Sequence, residues 1–104
     1  MTRVTVDQHA ALQMIYQDFA LQRDWPKGSG RLHGPTVWKR LIIAAWERTQ
    51  GHHAEIYPAL DGAGNDVVYR RQSRLNIAEA SELIEFAKYM ASELEVKLHE
   101  PEPA

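Results

Sequence analysis

Between Tyr69 and Arg74 the sequence reads Tyr-Arg-Arg-Gln-Ser-Arg, which sets one aromatic ring, three guanidiniums and two small polar donors in six residues. Arginine forks bond phosphates bidentately and stack on exposed bases, so this set is chemically apt for single-stranded nucleic acid. The same cations could equally pair with the glutamates that follow in the chain. A second basic stretch, Lys27-Gly28-Ser29-Gly30-Arg31, reads as a flexible loop, and Lys39-Arg40 form a third cationic pair. Of the three tryptophans, Trp38 and Trp46 fall at core spacing, whereas Trp25 beside the basic loop suits a stacking platform or a core anchor equally.

Other chemistries find little support. His52-His53 offers two adjacent imidazoles without the further ligands or the helical spacing that a zinc site uses. Asp61 to Asp66 has Ala63 where a calcium loop needs an acid, and no glutamate closes that loop, so a hairpin turn is the better account. Nuclease chemistry needs convergent carboxylates for Mg²⁺, and the acids of the middle of the chain are scattered singly. There is no Gly-x-Ser-x-Gly elbow, and Ser29, Ser73, Ser81 and Ser92 lack an identifiable base. With no cysteine among the 104 residues, disulfides, thiolate metal sites and thiol nucleophiles are excluded together. The expectation is therefore a protein without metal, cofactor or catalytic site.

Charge is distributed unevenly about a net value of −2. Residues 23–74 hold nine cations against five acids, a local charge of +4, whereas residues 75–104 hold two lysines against seven glutamates, a local charge of −5. The middle of the chain could serve a polyanion if its side chains converge, although a solvated surface of mixed charge explains the same counts. A composition of 44% hydrophobic and 25% charged residues is that of an ordinary globular domain. No apolar run approaches the roughly 20 residues of a membrane span, and the first residues lack the apolar core of a secretory signal. A cytoplasmic protein is expected.

The elements that must position these residues can be read from periodicity. Asp7 is a plausible N-cap for a helix running to about Gln22, with Leu12, Ile15, Tyr16 and Phe19 on its buried stripe. Trp25-Pro26 ends it. Pro35 opens a second helix whose core stripe is Trp38, Leu41, Ile42, Ala45 and Trp46, leaving Lys39, Arg40, Glu47 and Arg48 to solvent. Two strands, Glu55 to Leu60 and Asp66 to Gln72, flank the glycine-rich turn of a hairpin. Asn76 and Glu79 form a capping box for a third helix from about Ile77 to Leu94, with Leu83, Ile84, Ala87, Met90, Ala91 and Leu94 on its apolar face. The fold class is α+β: three helices with a two-stranded antiparallel β-hairpin between the second and third. A single domain over residues 1–98 and a disordered acidic tail over 99–104 are expected.

One order of residues carries a resemblance. Asp7-Gln8 with Leu12 and Asp18, then Trp25, Gly30-Arg31, Trp38-Lys39, Ala44-Ala45, Pro58 with Leu60 and a glycine turn, Ser73-Arg74, Glu79, Glu82-Leu83 and Val96-Lys97 together resemble the NinB/Orf family of phage recombination proteins over about residues 7–98. The individual motifs are weak, and the order with its nearly gap-free spacing is what carries the likeness. The resemblance implies an α+β homodimer that binds single-stranded or branched DNA and assists recombinase loading alongside a host single-strand-binding protein. It implies no established catalytic site. It also carries Gln8, of the Asp-Gln pair, and Arg74, of the Ser-Arg pair, over as DNA-binding positions, with Lys39 matching in a role that is DNA-binding or structural. The sequence departs from the family's lambdoid prototype in keeping only Met1 to Val6 ahead of the Asp-Gln pair, in ending on a short Pro-Glu-Pro tail, and in placing Gln13 where the prototype has an aromatic.

The expected function is thus a phage or prophage DNA-binding recombination mediator, with phosphate contacts from Arg70, Arg71 and Arg74 supported by Lys27, Arg31, Lys39, Arg40 and Gln8. A non-catalytic protein–protein adaptor of a prophage replication or recombination module is the alternative, and a structure-selective nuclease is the weakest reading.

Overall fold

The computed structural model describes residues 5–52, 55–68 and 75–99. Its elements are α1 (Val6–Gln22), α2 (Pro35–Thr49), the antiparallel strands β1 (Glu55–Pro58) and β2 (Asn65–Val68), and α3 (Ile77–Glu93). This is the expected α+β arrangement, with the hairpin between the second and third helices.

Helix α1 starts one residue after Thr5, not at Asp7. The Thr5 hydroxyl accepts from the Gln8 N–H at 3.1 Å, and the Gln8 side chain accepts from the Thr5 N–H at 2.9 Å. That capping box satisfies two of the helix's free amides, which Asp7 at the second helical position does not do; its charge instead sits in the first turn, where the helix dipole favours an anion. Gly34 caps α2 with Pro35 at the first position, and Asn76 and Glu79 make the expected box on α3, with bonds of 2.8 and 3.1 Å.

The three helices pack on one another around a core whose fully buried members include Leu12, Tyr16, Phe19, Trp38, Leu75 and Leu83. Each such large side chain contributes on the order of 1.5–3 kcal/mol by leaving water. Small residues Ala80, Ala87 and Ala91 line the buried side of α3 and allow close approach. Trp38 meets Phe19 with ring centroids 5.0 Å apart and Trp25 edge-on at 6.0 Å. Burial raises the Tyr16 phenol well above its ordinary pKa.

Helix α2 differs from the expected stripe. Ile43, Ala44 and Glu47 are buried along with Trp38, Ile42 and Trp46, while Leu41 and Ala45 are only half-buried. Because α2 touches both α1 and α3, its covered arc is wider than one stripe and takes in Glu47, which the periodicity had placed in solvent.

After α3 the chain turns back on itself. Leu94 caps the helix, Glu95 takes the left-handed φ of +59°, and Val96 N–H returns to the Ala91 carbonyl at 2.8 Å, a Schellman closure with glutamate where glycine is usual. Lys97 then exchanges backbone bonds with the Gln22 side chain at 2.7 and 2.6 Å. His99 N–H donates to the buried Asp18 carboxylate at 2.8 Å, and its ring Nδ1 contacts the other Asp18 oxygen. The fold is thus tied down as far as His99, one residue into the expected tail, whose remainder lies outside the described residues.

Among the described residues the strands pair over four positions, Glu55 to Val68, Ile56 to Val67, Tyr57 to Asp66 and Pro58 to Asn65; the first stops short of the expected Leu60, and the expected end of the second, 69–72, lies outside the described residues. Asp61 builds the turn by accepting from the Ala63 N–H at 2.9 Å, and the positive φ of Gly62 (74°) suits a residue without Cβ. All eight strand residues are exposed. On β1 the Tyr57 hydroxyl donates to Glu55, and that bond with its negative charge raises the phenol pKa.

Candidate nucleic-acid interface

Among the described residues, the cations expected to hold phosphate lie on the loop between α1 and α2 and in the opening turns of α2. The loop is a built object. Asp24 is its hub: one carboxylate oxygen accepts from the Gly30 N–H at 2.8 Å, the other lies 3.4 Å from the Arg23 guanidinium. Bonds from the backbone of Gly30 and Gly28 hold the Asp24 carboxyl below its usual pKa, with the Arg23 charge adding to them. Both glycines have positive φ, +86° at Gly28 and +75° at Gly30, a region costly for side-chain-bearing residues.

Around that hub the backbone closes twice more. Trp25 N–H donates to the Arg31 carbonyl at 3.0 Å and Ser29 N–H to the Pro26 carbonyl at 2.9 Å. Ser29 Oγ accepts from the Arg31 N–H at 3.2 Å, and His33 Nε2 meets the Trp25 carbonyl at 2.7 Å. Trp25 is half-buried, packs against the core and stands edge-on to Trp38, which anchors the loop to α2. Lys27 and Arg31 emerge exposed from this scaffold. Arg40 is exposed on α2 and Lys39 half-buried beside Trp38. Arg23 answers Asp24, and among the described residues no acid pairs with Lys27, Arg31, Lys39 or Arg40.

Gln8 stands elsewhere and is occupied. Its Nε2 donates to the Ile77 carbonyl at 3.0 Å and to Ser81 Oγ at 3.1 Å, while its Oε1 serves the Thr5 cap. Both amide hydrogens are thus spent in joining the start of α1 to the start of α3, which leaves one lone pair for any other partner. Arg70, Arg71 and Arg74 lie outside the described residues, as does Tyr69. The flanks of that segment are Val68 at the end of β2 and Leu75, fully buried ahead of the Asn76 cap. Of the glutamates on α3, Glu79 accepts from Asn76 N–H and Glu85 lies 3.7 Å from Lys88.

Among the described residues no group of three or more histidines, cysteines or acids is placed to hold a metal ion; His53 lies outside them. No helix among them is long and apolar enough to cross a membrane. Periodicity missed Asp24 as the organiser of the loop and Asp18 as the buried anchor of His99. The six-residue spacing of Asp24 and Gly30 was the one available signal for the first; nothing local signals the second.

No curated protein matches the chain. A solved structure of a NinB protein from structural genomics superposes with a TM-score of 0.72 at 26% identity, covering 94% of this chain and 64% of that one. The chain therefore spans under two thirds of that relative's length. A sequence profile of the NinB family matches residues 1–99, which takes in every described element, and so this chain belongs to the NinB family of phage proteins.

Proposed function

We propose that the chain is a phage DNA-binding recombination mediator that holds single-stranded or branched DNA as a homodimer and assists recombinase loading, in company with a host single-strand-binding protein. It has no catalytic part in this reading. The observation that supports it is the Asp24-centred loop, whose glycine amides and Arg23 occupy the local acid so that Lys27 and Arg31 are exposed and, among the described residues, without an acidic partner. Lys39 and Arg40 extend that charge along α2, and Arg70, Arg71 and Arg74 add three guanidiniums, groups that bond phosphate and stack on bases.

Salt titration of single-strand binding tests it. If about four to six phosphates are neutralised, log K falls against log salt with a slope near −3 to −4. Replacing Lys27 and Arg31 together by glutamate is expected to flatten the slope while leaving the circular dichroism unchanged, and Arg71→Glu with Arg74→Glu to do the same. A flat response in the wild type sinks the reading.

The exposed faces of the hairpin favour a second reading, a protein–protein adaptor of the same phage module. An adaptor would keep its partner after those substitutions, and a mediator would lose its DNA.

A further inference from the structure

Arg23, between the end of α1 and the Asp24 hub, faces two ways. It caps α1 in extended backbone (φ −129°, ψ 131°), and its N–H closes on the Phe19 carbonyl at 2.9 Å. Its side chain is only 19% exposed. One terminal nitrogen of the guanidinium lies 3.4 Å from the Asp24 carboxylate, and the other donates to the Leu94 carbonyl at 3.3 Å. Nε is buried with no hydrogen-bond partner among the described residues, so the bonding of this largely buried cation rests on those two contacts.

Both contacts call for a guanidinium. Leu94 is the C-cap of α3, a helix with no basic residue in its last turn. Carbonyls at a helix end lack intrahelical partners and form the negative end of the dipole, so Arg23 supplies from α1 the cation that α3 does not carry there. Asp24 is the acid whose other oxygen the Gly30 amide fixes. A lysine ammonium is a single point of charge, whereas the planar fork of arginine presents separate donors to two acceptors at once. The neighbouring fasteners stop short of the loop. Gln22 holds Lys97 by two bonds and Asp18 holds His99, both along the strap that follows α3. Of these three side chains from the end of α1, Arg23 alone also bonds to the loop. We propose that Arg23 is a positioning residue for DNA binding: without touching phosphate, it fixes the Asp24 hub against the end of α3 and so holds Lys27 and Arg31 in place for the strand. The proposal rests on the DNA reading of that loop given above. A loop already in place binds without the entropy cost of ordering two long cationic side chains.

Equilibrium binding of a single-stranded oligonucleotide tests it, with wild type beside Arg23→Lys, Arg23→Met and Gln22→Ala. Arg23→Lys keeps the charge and loses the bridge, and is expected to bind about tenfold more weakly, the effect of two side chains left to be ordered on binding. Arg23→Met is expected to bind no better than Arg23→Lys. Neither is expected to change the slope of log K against log salt, because no phosphate contact is lost. Gln22→Ala severs two bonds at the same helix end without reaching the loop, and is expected to keep wild-type affinity. Hydrogen exchange at the Gly30 amide, read without DNA, is expected to quicken in both Arg23 variants and not in Gln22→Ala, with circular dichroism checking that each variant folds. Wild-type affinity in Arg23→Lys, unchanged Gly30 exchange, an equal loss in Gln22→Ala, or a slope shallower by about one in Arg23→Met, the mark of a direct phosphate contact, would each overturn the positioning role and leave the DNA reading standing. A wild type that binds no single strand overturns both, and that result is read on the wild type alone.

Discussion

Asp24 shows how little of a site's construction a residue's type reveals. In the sequence it is one acid beside a glycine-rich basic loop, and the glycines read as freedom. In the fold those glycines are donors fixed at positive φ, and the carboxylate is what fixes them. The charge has a measurable consequence. Its pKa in the folded state lies below that of the unfolded chain, about 3.9, so the carboxylate contributes stability that is fully present above the unfolded value and lost as pH falls through the folded one. Asp24→Asn is accordingly expected to lower the denaturation midpoint at pH 7, with the gap to wild type closing as the pH is taken below about 4. A gap of constant size from pH 7 to pH 3 would mean that the charge does not hold the loop. The exposure of Lys27, Arg31 and Arg40 was legible because charge keeps a side chain in water, whereas Lys39 is half-buried. The partners of Gln8 and Asp18 were not legible, since Ile77, Ser81 and His99 lie in a distant stretch of chain that only tertiary packing brings near.

At the scale of elements, what could be read depended on how local the determining physics is. The α3 capping box involves residues three apart, and both its existence and its members followed from sequence. The same pattern at Thr5 and Gln8 was equally local, and Asp7 drew the assignment because an acid at a helix start satisfies a weaker rule. Both boxes are open to one measurement. Thr5→Ala and Asn76→Ala should each cost about 1 kcal/mol in denaturant unfolding, with Asp7→Ala costing less, because Asp7 makes only the dipole contribution. Equal losses at Thr5 and Asp7 would return the cap to Asp7. The burial of Glu47 is different in kind: it follows from α2 touching two helices at once, which a one-stripe periodicity does not encode.

For the whole molecule, the order of weak motifs along the chain was enough to indicate the NinB family, because the packing of α1, α2 and α3 constrains the spacing between elements even where single residues are uninformative. The edges of the hairpin were not legible, since which backbone groups face outward depends on register. The division of labour that results is testable in one variant. The strands bury no residue in the core that Leu12, Phe19, Trp38 and Leu83 fill, so replacing residues 55–68 by a short glycine-serine linker should change the stability of the helices by less than about 1 kcal/mol, the size of the loop-closure term alone. The denaturation midpoint of the excised variant reads this directly, and a loss well above that size would mean that the exposed strands nonetheless support the helical core.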